Sequence, residues 1–304
     1  MTITIHPYSP ADRQRVIDFR RAYTTRENAY DYPTAADLHE LLDASAAQGT
    51  TRASLWEDEG GNIDAFAILA LRYCNCYFLI APQASSDETA RQILNWAARQ
   101  LREAGNCTAI DTPCRDTDTE RVTLLEQSGF VRQETQTLYM TRPLSVPIPP
   151  AIFPEGFTLR QAAGEQELEA MVALHQAAFG TQNMTIENRR TIMRNPAYIP
   201  ELDLLLEAPD GTLATFCYCT IPREANELSG RSEGEIAIIG TSPAYQKRGL
   251  GRAMLLAGLQ RLKDFGVEMA TLGTSSENGG AHSVYFSAGF RVSYRSLWYA
   301  KSIW

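Results

Sequence analysis

The feature that most limits what this chain can fold into is a duplication. Gly129-Phe130 and Gly289-Phe290 lie 160 residues apart, and so do Tyr139 and Tyr299. The two halves match in order between these landmarks. Each opens on a short alternating strand, Ile3-Thr-Ile5 and Phe157-Thr-Leu159. Each continues into an amphipathic helix, where Val16, Ile17 and Phe19 correspond to Met171, Val172 and Leu174. Each has a hairpin pattern around a glycine turn, SLWEDEGGNIDAFAILAL and LDLLLEAPDGTLATFCYC. An apolar strand then runs to Pro82 or Pro243, and a long helix ends at Gly105 or Gly266 as a left-handed cap. A short helix, Gly-Phe and a final strand close each half. This spacing predicts two copies of one α/β (α+β) fold, each a mixed, mostly antiparallel twisted sheet flanked by helices. The stretch PLSVPIPPAIFPEG between them holds five prolines and reads as a stiff extended linker. The expected domains are 1–142 and 156–304, joined by 143–155.

Composition narrows the function classes. With 44% hydrophobic and 21% charged residues the chain reads as soluble and globular. A net charge of −8 argues against a nucleic-acid partner, which needs a basic face. No apolar run is long enough for a membrane span, and the N-terminus lacks the pattern of a signal peptide, so a cytoplasmic protein is expected. Cys74, Cys76, Cys107, Cys114, Cys217 and Cys219 fall on apolar, strand-like stretches. Their Cys-x-Cys spacing is tighter than zinc signatures use, so they read as core or pocket-wall thiols and no metal is expected. His175 and His282 have no paired acid at a recognisable spacing, and the His282-Ser283 neighbours do not face each other on a helix, which argues against a hydrolase.

The stretch SPAYQKRGLGRAML in the second half carries the functional signal. Met254, Leu255, Gly258, Leu259, Leu262 and Phe265 make one apolar face of a helix. Gly249-Leu250-Gly251 sits where that helix leaves backbone N–H groups unpaired, a ready anion site. A P-loop would need Gly-x-x-x-x-Gly-Lys before Ser or Thr, which is absent. A Rossmann fingerprint would need a small residue where Met254 stands, and would enter its glycines directly from the strand.

The run Ile239-Gly240-Thr241-Ser242-Pro243-Ala244-Tyr245-Gln246-Lys247-Arg248-Gly249-Leu250-Gly251 resembles motif A of the GNAT N-acetyltransferase superfamily. A second signature of that family, Asn-x-x-Ala-x-x-apolar-Tyr followed by Gly-Phe, is matched by Asn278, Ala281, Val284, Tyr285, Gly289 and Phe290. The resemblance covers residues 156–304, and the duplication extends it to a tandem GNAT chain. It implies an acetyl-CoA-dependent N-acetyltransferase acting on a primary amine of a small molecule or peptide, by direct attack in a ternary complex. The cofactor would be held by Ile239, Gly240, Thr241, Gln246, Lys247, Arg248, Gly249, Leu250, Gly251 and Arg252, with Asn278 at the pantetheine arm. Asn278 equally suits helix or turn capping.

Tyr285 is the expected acid for the departing thiolate. Glu235, on the same strand, is the expected base, with a water chain as the alternative and Glu233 and Glu227 as weaker candidates. Phe216, Tyr218, Trp298 and Tyr299 are candidate aromatic walls of an acceptor pocket, and core packing is their other reading. The tandem arrangement also resembles mycothiol synthase, which acetylates an amine on a small thiol conjugate. A non-catalytic acyl-CoA sensor is the competing class.

The first half departs from the motif. Aligning Pro82 with Pro243 puts Ser85, Asp87, Glu88 and Ala90 where Gln246, Arg248, Gly249 and Gly251 stand. The carboxylates would repel a pyrophosphate, Ser85 and Glu88 suit a capping box, and Leu125 stands at the place of Tyr285. The first half is therefore expected to be a structural partner, in a chain that is a monomer or weak dimer.

Overall fold

The computed structural model describes residues 3–25, 28–29, 31–44, 49–84 and 86–304. In chain order the first half gives β1 (Thr4–Pro7), α1 (Arg13–Tyr23), α2 (Ala35–Leu38), β2 (Thr51–Glu57), β3 (Ile63–Ala70) and β4 (Asn75–Ile80). It continues with α3 (Ser86–Ala104), β5 (Ala109–Arg115), α4 (Thr119–Gln127) and β6 (Val131–Pro143). The second half repeats the order with one added helix, α7: it gives β7 (Thr158–Gln161), α5 (Leu168–Phe179), α6 (Ile186–Arg194), β8 (Asp203–Glu207), β9 (Leu213–Thr220) and α7 (Arg223–Ser229). It closes with β10 (Glu233–Thr241), α8 (Leu250–Asp264), β11 (Met269–Ser275), α9 (Gly279–Ser287) and β12 (Arg291–Ser302). Among the described residues no helix is long and apolar enough to cross a membrane.

These elements form two compact units whose sequences interleave. One holds Met1–Thr137, Glu227–Gly230 and Tyr294–Trp304; the other holds Leu138–Asn226 and Arg231–Ser293. In the first unit the strand order is β1-β2-β3-β4-β5-β12. The last strand enters this sheet antiparallel to β5, from Ser296↔Arg115 to Ser302↔Ala109. Leu297, Tyr299 and Ile303 therefore pack in one core with Trp56, Trp96, Leu101 and Leu125. In the second unit the order is β6-β11-β10-β9-β8-β7, with β7 to β10 antiparallel and β10–β11 parallel. Within each unit the strand pairing is mixed and mostly antiparallel, and helices flank the strands.

The second unit explains its own sequence well. Period-2 alternation sends Cys217, Cys219 and Ile236 to one side of the sheet, against the apolar stripe of α8. Gly258 of that stripe is required, because a Cβ there would stand 2.8 Å from Cys217 Sγ. Met171 and Leu174 of α5 cover the other side with Leu205 and Phe216. Phe265 does not join the α8 stripe: the helix stops at Asp264, Phe265 is its C-cap, and its side chain is 40% exposed. The proline-rich stretch packs on this unit. Buried Arg142 donates to the carbonyls of Ala288, Pro143 and Pro147, while Ile148, Ala151 and Phe153 rest on the core.

One cysteine expectation is corrected. Cys74 and Cys107 form a disulfide with Cα atoms 6.0 Å apart, and Cys76, Cys114, Cys217 and Cys219 are free and buried. The single parallel pair of β4 with β5, Asn75↔Asp111, draws the two chain segments together at their starts.

Candidate active site

The site begins with two strands that part company. β10 runs parallel to β11 only over Glu233↔Met269, Gly234↔Ala270 and Glu235↔Thr271. On its other edge it stays with β9 as far as Thr241↔Thr215, through a bulge between Ile236 and Ile238. Residues 236–241 thus have an edge with no ladder partner among the described residues, and backbone groups there are open to a ligand. Gly240 lies within this segment because nothing larger fits: a Cβ would stand 2.7 Å from the Phe216 ring and 3.0 Å from Ala178.

The chain then turns into α8 through a loop with unusual backbone. Lys247 has φ +61° and Gly249, the N-cap, has φ +77°, both in the left-handed region. No side chain caps the helix, whose first internal bond is Ala253 N–H to Gly249 O at 3.1 Å. The N–H groups of Leu250, Gly251 and Arg252 precede that bond and face the loop, at the positive end of the helix. Gly249 is exposed, and a Cβ there would meet no protein atom within 4 Å. At Gly251 a Cβ would lie 3.4 Å from Thr241 Oγ1, so strand end and helix start are close. The Gln246 amide donates to Thr241 O and Arg248 donates to Ala244 O, which brace the loop from within. Arg252 reaches Ser287 Oγ of α9 at 3.3 Å.

Tyr285 comes from α9, half-buried, with its ring 6.2 Å from that of Phe290. Burial, and then the neighbouring Cys217, push its hydroxyl above the ordinary tyrosine range, so it keeps its proton at neutral pH. Cys217 is the cross-strand partner of Ile239, which ties Tyr285 to the unpaired stretch of β10. Glu235 faces the opposite side of the sheet, with Thr220 across the ladder, just before the bulge. Asn278 is the N-cap of α9, accepting from Ala281 N–H at 3.4 Å. The glycine stretch and Tyr285 therefore lie by the unpaired part of β10, while Glu235 is the last residue of β10 still paired with β11 and points to the other face of the sheet.

Comparison with known proteins decides the family. The model of the acetyltransferase (GNAT) family matches residues 168–290. A mycothiol acetyltransferase of Propionibacterium freudenreichii subsp. shermanii is 30% identical over 299 residues, 96% of this chain and 89% of that protein. The chain belongs to the GNAT superfamily. Mycothiol acetyltransferases of Thermobispora bispora and Saccharomonospora viridis are 32% and 28% identical over shorter stretches, 54% and 59% of this chain. The chain spans 56% and 60% of their lengths. Two solved structures share the fold over the whole chain. A GCN5-related N-acetyltransferase from Sphaerobacter thermophilus has a TM-score of 0.69 at 22% identity, covering 99% of this chain and 96% of that one. A tandem GNAT protein from the clavulanic acid biosynthesis pathway has a TM-score of 0.74 at 14% identity, covering 100% and 99%.

The first GNAT unit has the same opening and closes it. β4 and β5 share only the pair Asn75↔Asp111 before they separate. Arg121 then occupies the gap: it donates to Phe78 O at 3.1 Å, and its guanidinium carbon lies 4.0 Å from the centre of the Phe78 ring. Arg121 stands at the place of Ala281, so a bulky cation replaces a small residue. Arg121 lines an open hollow of 520 Å³ together with three carboxylates, Asp87, Asp118 and Glu120, which outnumber it. The charge there is opposite to what a pyrophosphate needs. Glu88 pairs with Arg91 and Gln92, and the expected capping box includes Ser85, which lies outside the described residues. Asp118 caps α4 as Asn278 caps α9, accepting from Arg121 N–H at 3.0 Å.

The aromatic-wall expectation is half corrected. Phe216 and Tyr218 lie in the second unit on the Glu235 side of the sheet. Trp298 and Tyr299 lie in the first unit, because β12 leaves its own half: Tyr299 is 1% exposed with its hydroxyl on Glu126, and Trp298 donates to Thr137. Sequence reading also missed Arg121 and a buried group of Arg189, Tyr198 and Asp203. Their signals were a cation where the motif is small, and an aspartate opening the apolar run DLLLE.

Proposed function

We propose that the chain is an acetyl-CoA-dependent N-acetyltransferase that acetylates a primary amine of a small molecule or peptide by direct attack in a ternary complex. The observation that carries this reading is the uncapped, left-handed Gly249 start of α8 beside a strand that has lost its parallel partner. The pyrophosphate would be held by the amides of residues 247–252, and the pantetheine arm would lie along Ile239, Gly240 and Thr241. Asn278 would border that arm from the start of α9, while its side-chain oxygen caps the helix.

A lysine-like amine is about one part in a thousand neutral at pH 7, so a base must supply the attacking form. Glu235, directly or through water, takes that proton. The amine nitrogen attacks the thioester carbonyl, and a backbone N–H on the open edge of β10 stabilises the oxyanion. The C–S bond breaks, and Tyr285 gives its proton or hydrogen bond to the departing thiolate.

Residues 156–304 carry this chemistry in the proposal; residues 1–142 are a structural partner, and 143–155 join them. Similarity to one mycothiol acetyltransferase over 96% of the chain favours one acceptor class, the amine of a small thiol conjugate of the mycothiol type. The protein acts as a soluble cytoplasmic monomer or weak dimer, without metal. The test is thiol release from acetyl-CoA across a panel of amines. Transfer lost in Tyr285→Phe with coenzyme binding kept supports the reading; binding without any transfer makes the chain an acyl-CoA sensor.

A further inference from the structure

On the α5 side of the second sheet, three buried polar atoms have no hydrogen-bond partner: His175 Nδ1, Arg189 Nε and Asp203 Oδ1. Asp203 is fully buried and Arg189 is 7% exposed. The pair is joined through Asp203 Oδ2, which also accepts the Tyr198 hydroxyl at 2.6 Å. The Arg189 guanidinium lies 5.5 Å from the Tyr218 ring centre. The His175 ring sits 4.8 Å from Phe179 and 5.7 Å from Phe216. Burial, and then the nearby Arg189 cation, hold its imidazole below the ordinary histidine range and therefore neutral at pH 7. Orphaned buried polar atoms are rare and costly, and three in one neighbourhood call for a missing partner.

The ladder fixes where this group stands. Asp203 is opposite Tyr218, and Tyr218 is opposite Ile238 at the β10 bulge. All three share the face that carries Glu235 and Thr220. Two strand spacings separate Asp203 from the bulge, about 10 Å. Tyr198, whose hydroxyl meets Asp203, and His175, whose ring meets Phe216, are both half-buried. A single group that donates to a carboxylate oxygen and accepts from a guanidinium N–H is a hydroxyl.

We propose that Asp203, Arg189 and His175 form the distal end of the acceptor subsite and take a hydroxyl carried about 10 Å from the amine that is acetylated. This rests on the reading that acetyl transfer takes place at the β10 bulge. Water offers the same chemistry, and the test separates the two sources. Ethanolamine, 4-aminobutan-1-ol, 6-aminohexan-1-ol and 8-aminooctan-1-ol are compared with the alkylamines of equal carbon number. Their Kd values for the full chain saturated with CoA are measured by calorimetry.

The hydroxyl tightens binding about ten-fold or more for the two longest chains, and not for ethanolamine. Asp203→Asn brings that ratio to near one. Because it also strips a buried cation of its partner, His175→Leu, which leaves the ion pair in place, is the second variant and lowers the same ratio. A native ratio near one at every length assigns the orphaned atoms to water and overturns the proposal. So does a ratio that persists in both variants. Hydroxyl-selective binding without turnover supports the subsite and defeats the enzymatic reading; turnover without selectivity does the reverse.

Discussion

Replacing Gly249 by glutamate copies the first half of the chain into the second, and its effects can be worked from the structure. The backbone at φ +77° costs an L-residue about 1–2 kcal/mol, whichever side chain is used. No protein atom lies within 4 Å of the new Cβ, so no clash is added. A carboxylate at a helix N-terminus recovers about 0.3–1 kcal/mol, which leaves Gly249→Glu slightly more stable than Gly249→Ala. Toward a pyrophosphate the order reverses. A carboxylate about 5 Å from one phosphate charge, at an effective dielectric near 20, repels it by about 3 kcal/mol. CoA binding should weaken more than a hundred-fold in Gly249→Glu and less than ten-fold in Gly249→Ala. Thermal melts and CoA titrations of both variants, at low and high salt, read the two effects separately. If Gly249→Glu binds within ten-fold of the native chain, the cradle is elsewhere. If Gly249→Ala loses as much as Gly249→Glu, backbone shape rather than charge decides, and the reasoning fails.

Three further outcomes are expected. Tyr285→Phe keeps the ring contact with Phe290, so the melting temperature and the KM for acetyl-CoA should hold while kcat falls about a hundred-fold or more. Reducing the Cys74–Cys107 bond, which closes a 33-residue separation, should destabilise the first unit by about 3–4 kcal/mol in a denaturant titration, and leave CoA binding unchanged. The hydrogen bond that His6 donates to Glu57 raises its imidazole above the ordinary range, so its stabilisation is complete below about pH 6.5 and is lost as pH rises through the raised value. Calorimetry of the first unit's transition should show stability falling over that window, and His6→Gln should flatten the fall.

The repeat and the motif were legible because both rest on local chemistry. Glycines at 249 and 251, a proline ending the strand, and Tyr285 at fixed spacing each report a backbone or a hydroxyl that the fold needs at that point. The left-handed caps at Gly105 and Gly266 were readable for the same reason. Long-range placement was not. Nothing in the composition of β12 tells that Ser296–Ser302 pairs with β5, since an alternating strand satisfies either sheet edge, and so Trp298 and Tyr299 were credited to the wrong unit. Cys74 and Cys107 were read as thiols because their proximity depends on one parallel pair between strands that otherwise diverge. Arg121 was hidden because a cation on a helix reads as solvated surface until the gap it fills is seen. Asp203 was hidden by the leucines that follow it, which mark a buried strand but give no hint of the arginine that meets its first residue.

The central claim is that the opening between β10 and β11 performs acetyl transfer. Its most direct test is the native chain with acetyl-CoA and an amine panel, scoring thiol release against N-acetylated product. The account predicts equal amounts of both for at least one amine, with the rate falling about a hundred-fold or more in Tyr285→Phe. Saturable CoA binding with no thiol release above the uncatalysed rate for any amine would contradict it.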